Sequence, residues 1–237
     1  MREWRFRPAA DLGLAPGERL KSLKREAGLV ASAAHLAWWL VARAYLRAAH
    51  RFRVLGAEHL PASPPFVLCA NHASHLDAVA LAAAIPARLS NQVFPIAAGD
   101  TFFDHLPMTL FAALGLNALP LWRGQVKPGE LATLRARLAG DGAIFILFPE
   151  GTRARNGVMQ RFKPGIGRLV AASAVPVVPC HIDGAFAALP PHRTLPRPKP
   201  ITLRLGAALS FAGESDDKAG WTAVASRVED AVRRLAP

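Results

Sequence analysis

Two kinds of apolar pattern divide the chain. Up to about residue 50, apolar residues recur at helical spacing. From Arg51 onward, short continuous apolar runs alternate with longer helical segments. "PFVLCA", "QVFPIAA", "NALPLW", "AIFILF", "VPVVPCHI" and "ITLRLGAAL" read as strands, several of them uniformly apolar, as strands buried on both faces are. Between them, "LDAVALAAAI", "FFDHLPMTLFAALG", "PGELATLRARLAGDG" and "GIGRLVAASA" read as helices, and "WTAVASRVEDAVRRLA" closes the chain. Proline near the start and glycine at the end mark the third of these. Strands alternating with helices predict an α/β fold, a largely parallel or mixed sheet flanked by helices.

The first 50 residues read differently. Leu20, Leu23, Ala27 and Val30 fall on one helical face beside Lys21, Lys24 and Arg25. Trp38, Val41, Ala42, Tyr45 and Ala49 form a second stripe, with Arg43, Arg47, His50 and Arg51 roughly opposite. The uncharged stretch from Ala27 to Ala42 holds 16 residues with His35 inside, short of the ~20 a spanning helix needs. Tryptophan on the apolar side and arginine on the polar side suit a membrane surface. The expected division is a helical membrane-association segment over 1–50 and an α/β domain over 51–237. The commoner fate of such a stripe is to pack on the protein's own core. The opening "MREWRFRPAADLGLAPG" is charged and proline-interrupted, without the apolar core of a cleavable signal.

Composition narrows the partners. The 237 residues carry a net charge of +12 and are 51% hydrophobic. So basic a chain expects a polyanion: nucleic acid, anionic lipid or a phosphorylated substrate. No zinc-finger spacing or aromatic-rich RNA-binding signature occurs, and there is one tyrosine, so nucleic acid is not expected. The two cysteines, Cys69 and Cys180, lie far apart inside apolar runs. They suit buried thiols in a reducing compartment, with neither a disulfide framework nor a metal site.

The polar residues collect where strands end, which is where open α/β sheets place ligands. Asn71, His72 and Asp77 follow one strand, Arg123 another, and "PEGTRAR" a third, bringing Glu150, Gly151, Thr152, Arg153 and Arg155 into one turn, with Arg161 and Lys163 just beyond. One carboxylate, one hydroxyl and several cations in a glycine-containing turn can hold a phosphate. Arginines on loops are also commonly just solvated. His72 and Asp77 pose the sharper question. Five residues along one continuous helix place two side chains roughly 140° apart, so they meet only if the chain changes conformation between them. Alternatively Ser74 caps a helix with Asp77 as its acidic partner in a capping box. Spacing leaves both readings open.

"NHASHLD" resembles the H-x4-D motif of the glycerolipid acyltransferases, the lysophosphatidate acyltransferase family. "FPEGTRAR" is similar to that family's third motif and "RFKPG" to the segment after it. Arg123 in "LPLWRG" resembles the second-motif arginine, although Trp122 stands where the family often has aspartate. "VPVVPCHIDG" resembles the fourth motif, with Pro179 at the matching proline. The resemblance runs in the family's order from Phe66 to about Gly184. It implies that His72, in the loop before a helix, is a general base held by Asp77. It further implies that Glu150, Gly151, Thr152, Arg153 and Arg123 bind substrate, and that His75 has no catalytic counterpart. The implied reaction moves an acyl group from acyl-CoA or acyl carrier protein to 1-acyl-sn-glycerol-3-phosphate, with no cofactor and no metal. Another lysophospholipid or a lyso-aminolipid is the alternative acceptor, and a non-catalytic binder of anionic membranes or nucleic acid the remote one. The resemblance also implies a peripheral or monotopic place on the cytoplasmic face of the inner membrane, docked on anionic lipid through the N-terminal helices.

Overall fold

The computed structural model describes residues 9–99, 103–105, 109–122 and 128–237. Seven strands form one sheet: β1 (Arg53–Leu55), β2 (Phe66–Ala70), β3 (Val93–Ala98), β4 (Leu119–Leu121), β5 (Ile144–Leu147), β6 (Val177–Asp183) and β7 (Thr202–Leu205). Their order is β1-β7-β6-β2-β5-β3-β4. Every neighbouring pair is parallel except β6 with β7, so the sheet is mixed and largely parallel. Among the described residues the α-helices are α1 (Pro16–Leu20), α2 (Leu29–His50), α3 (Leu76–Ala84), α4 (Pro128–Gly140), α5 (Gly165–Val170) and α6 (Lys218–Arg234), with a single turn at Ala185–Ala188.

The central strands are apolar throughout because both faces of the sheet are covered. On β2, Phe66, Leu68 and Ala70 join Leu46 of α2 and Leu76, Ala80 and Leu81 of α3 in one core. Val67 and Cys69 point the other way, to Leu134 and Leu138 of α4, Ile166 and Val170 of α5, and Val224 and Val228 of α6. Each fully buried large side chain contributes roughly 1.5–3 kcal/mol. Both cysteines are free and fully buried, and burial raises both thiols well above the ordinary range. Neither is a thiolate at neutral pH.

The N-terminal region departs from its sequence pattern. The first helix ends at Leu20, and residues 21–28 are not helical, so Leu20, Leu23, Ala27 and Val30 do not share a helical face. Arg25 is buried. It donates to the carbonyls of Leu20 and Ala118 and to Asn117 Oδ1, and burial lowers its pKa to about 10. Arg137 of α4 donates to the carbonyls of Leu23 and Arg25 (2.6 and 2.8 Å). These contacts tie the segment before α2 to the sheet's β4 edge.

The face of α2 that packs inward is His35, Trp39, Ala42, Leu46 and His50, rotated from the expected stripe, of which Val41 and Tyr45 are exposed. Trp39 Nε1 donates to the Ala82 carbonyl (2.9 Å) and Arg43 to that of Ala83 (3.0 Å), both in the last turn of α3. Residue 50 is therefore no packing boundary, because α2 completes the core of the α/β domain. Its other side is apolar and exposed at Leu29, Val30, Leu40 and Val41. At 22 residues the whole helix is long and apolar enough to cross a bilayer by length and composition.

Two further readings change. The segment "FFDHLPMTLFAALG" is helical, among its described residues, only from Thr109, and ends in a π-helical turn, Phe111–Gly115. β1 was not expected, since three residues with two exposed side chains carry no apolar run.

Candidate active site

Asn71 fixes the chain as it leaves β2. Its side chain donates to the Ile182 carbonyl (3.0 Å) and accepts from the Ile182 N–H (2.8 Å), pinning the loop to β6. α3 begins only at Leu76, so His72 lies in the loop and Asp77 in the first helical turn. That change of conformation brings them together, with His72 Nδ1 2.8 Å from Asp77 Oδ2. The same oxygen accepts from the N–H groups of Ala73 and Ser74, each at 2.7 Å. Ser74 Oγ accepts from the Leu76 N–H and donates to the Leu189 carbonyl. One carboxylate oxygen thus holds both the ring and the backbone of the loop, whereas the expected cap differs: His75 stands at the N-cap of α3, and Ser74 Oγ takes the Leu76 N–H in place of that of Asp77.

Asp77 is buried, and the His72 side chain is one-fifth exposed. Facing a carboxylate, Nδ1 carries the ring proton and Nε2 keeps its lone pair. Phe148, at the end of β5, stacks on the ring, with centroids 4.0 Å apart and planes 16° from parallel. A carboxylate behind the ring and an aromatic face beside it fix its orientation. The arrangement can take a proton from a hydroxyl at Nε2 while Asp77 stabilises the imidazolium that forms.

The "FPEGTRAR" loop packs directly against this turn. Glu150, expected on the substrate, is buried beneath it. Oε1 accepts from the His72 N–H (2.7 Å) and Oε2 from the Gln160 N–H (2.9 Å). Burial raises its pKa, and the two backbone donors oppose the rise. Its geometry is that of a clamp on the main chain of His72. The Ala154 N–H donates to the His72 carbonyl (2.8 Å), closing the same clamp from the other side.

Gly151 has φ +76°, and a Cβ there would stand 2.8 Å from Lys163 Nζ. The turn thus needs glycine for its conformation, whereas the crowding comes from the flexible end of a lysine that can move. Thr152 is exposed and Arg153 half-buried. Arg153 Nη1 donates to His75 Nε2, which brings His75, expected to be without a role, into the site. Arg123 lies outside the described residues. The stacking of Phe148 was also not foreseen. It follows from the strand ending at Leu147, which aims the next side chain across the strand ends.

A protein-family model described as Acyltransferase matches residues 51–183, more than half of the chain. The human protein named 1-acyl-sn-glycerol-3-phosphate acyltransferase alpha is 31% identical over 140 residues, covering 54% of this chain and 44% of its own length. The chloroplastic 1-acyl-sn-glycerol-3-phosphate acyltransferase BAT2 of Brassica napus is 30% identical over 139 residues, covering 58% of this chain and 38% of its own. The chain thus matches less than half the length of these relatives. Among solved structures, the 1-acyl-sn-glycerophosphate acyltransferase PlsC of Thermotoga maritima superposes with a TM-score of 0.66 at 22% identity. It covers 86% of this chain and 78% of its own, a likeness of fold.

Proposed function

Because this chain belongs to the acyltransferase family, we propose that it transfers a fatty acyl group from an acyl thioester to the free hydroxyl of 1-acyl-sn-glycerol-3-phosphate, yielding phosphatidic acid. The observation that carries the reading is the His72 Nδ1–Asp77 contact at 2.8 Å, with Nε2 left as a base. His72 Nε2 takes the hydroxyl proton as the oxygen attacks the thioester carbonyl. The C–S bond then breaks, and the imidazolium returns its proton to the departing thiolate. No acyl-enzyme is needed, because the thiolate is already a good leaving group, and the buried cysteines offer no nucleophile. Arg153 receives the acceptor's phosphate, and acyl-CoA or acyl carrier protein is the donor. Relatives with this acceptor in their names support the choice.

The acceptor is a lipid, so the site must meet a bilayer. The exposed apolar side of α2, with Lys21, Lys24 and Arg47 exposed nearby, docks on an anionic leaflet, peripheral or monotopic on the cytoplasmic face of the inner membrane. Each basic side chain near such a surface adds ~1 kcal/mol.

Thiol release from acyl-CoA, measured with lysophosphatidate, lysophosphatidylcholine and a lyso-aminolipid in parallel, tests the reading. Release with lysophosphatidate and formation of phosphatidic acid are expected. Release with another lysolipid alone replaces the acceptor, and release with none refutes the activity.

A further inference from the structure

His75 is the residue of the catalytic turn that the His72–Asp77 pair does not use. Leu76 beside it is buried in the core and Asp77 faces His72, whereas His75 is exposed on the side of the helix start that meets the "PEGTRAR" loop. There Nε2 accepts from Arg153 Nη1. A nitrogen that accepts presents a lone pair, so the ring is neutral with its proton on Nδ1. The surroundings favour that state. Although part of the ring meets solvent, its partial desolvation against the loop lowers the pKa of His75 from the ordinary 6.5, and the charges of Arg153 and His72 lower it further, with Asp77 acting in the opposite direction. The H-x4-D motif leaves residue 75 unspecified, so the contact is read from the structure and not from the motif.

We propose that His75 is a positioning residue for the acyl acceptor: by accepting from Arg153 it holds the guanidinium beside the catalytic turn, where the acceptor's phosphate binds. This rests on the assignment of Arg153 to that phosphate. An arginine on a loop has many rotamers, and one already held against His75 loses less freedom when the phosphate arrives. The consequence falls on acceptor affinity and leaves the proton transfer at His72 Nε2 in place.

Two substitutions separate the role from simple packing. His75→Phe keeps an aromatic ring and removes the acceptor nitrogen, whereas His75→Gln supplies an amide oxygen in its place. Glycerol 3-phosphate serves as the soluble headgroup probe, and lysophosphatidate with acyl-CoA as the substrate pair. In His75→Phe, glycerol 3-phosphate binding should weaken and the KM for lysophosphatidate rise, each about tenfold, the scale of one contact to a charged group. The kcat and the KM for acyl-CoA should move by less than about twofold. His75→Gln should recover most of the loss, and adding His75→Phe to Arg153→Ala should cost nothing more. An unchanged acceptor KM, an equal loss in His75→Gln, or losses that add would overturn the proposal.

A ring titration of the substrate-free protein by NMR tests the pair independently of the acceptor. His75 should titrate below the ordinary histidine value and move up in Arg153→Ala. An ordinary value in both proteins overturns the pairing, even in an enzyme that turns over lysophosphatidate. A shifted ring in a protein that binds no glycerol 3-phosphate refutes the acceptor assignment instead, and reduces the pair to a structural contact.

Discussion

A buried carboxylate that accepts from two backbone N–H groups cannot be exchanged for an amide without loss. Glu150 is such a group, with the His72 and Gln160 N–H at 2.7 and 2.9 Å on its two oxygens. In Glu150→Gln, either orientation sets the amide NH2 against one of those donors, leaving it unpaired at about 1–3 kcal/mol. The variant should melt earlier and turn over more slowly, while the acceptor KM barely moves. A raised acceptor KM at unchanged melting temperature would mean that Glu150 touches the acceptor after all. The motif "FPEGTRAR" placed this residue in the site, but a motif does not say which way a side chain points. The His72–Asp77 pair was readable through the family resemblance, which implies a loop at His72, whereas the spacing alone left the capping reading open beside it. Nothing in the spacing revealed that a single oxygen of Asp77 would serve both the helix start and the ring. His75 was passed over because a motif reading assigns roles only to the positions it specifies.

Among the elements, the central strands and the helices over them followed from apolar runs and helical periods, and the errors cluster where pattern is weak. β1 exists because the Arg53 N–H finds the Ile201 carbonyl (3.1 Å) across the edge of β7, a tertiary contact without a local signature. The helical face assigned across Leu20–Val30 failed because Arg25 was counted among surface cations, whereas it is buried against Asn117 and Ala118. On the opposite layer, Arg135 of α4 grips Asp216, before α6, through two contacts of 2.7 and 2.8 Å. Trp221 Nε1 donates to the same carboxylate. Hydrogen bonding to Arg135, then to Trp221, lowers the Asp216 pKa from 3.8 to about 2. A lowered carboxylate pKa stabilises the fold above the unfolded value, and that contribution is lost as pH falls through the folded one. Between about pH 4 and 2 the wild type should therefore lose stability that Asp216→Asn lacks already at neutral pH. Parallel melting curves across that window would show that the grip contributes nothing.

For the molecule as a whole, α2 joins two roles that the sequence pattern kept apart. It closes the core with Trp39, Ala42 and Leu46, and it shows Leu29, Val30, Leu40 and Val41 to the outside. Deleting residues 1–50 removes two large buried apolar side chains, Trp39 and Leu46, each contributing roughly 1.5–3 kcal/mol, together with the hydrogen bonds of Arg25, Trp39 and Arg43, from a fold whose total stability is of order 5–15 kcal/mol. The remaining 51–237 should not fold stably, so that deletion cannot isolate membrane binding. Leu40→Glu with Val41→Glu does so: the protein should keep its melting temperature and lose most of its binding to anionic vesicles. Undiminished vesicle binding would move the membrane contact elsewhere. The central claim is that His72 is the base of an acyl transfer, and thiol release from acyl-CoA with lysophosphatidate, compared between wild type and His72→Ala, tests it most directly. Loss of a general base predicts a fall of at least ~10²-fold with vesicle binding intact, and turnover within a few-fold of wild type would contradict the mechanism.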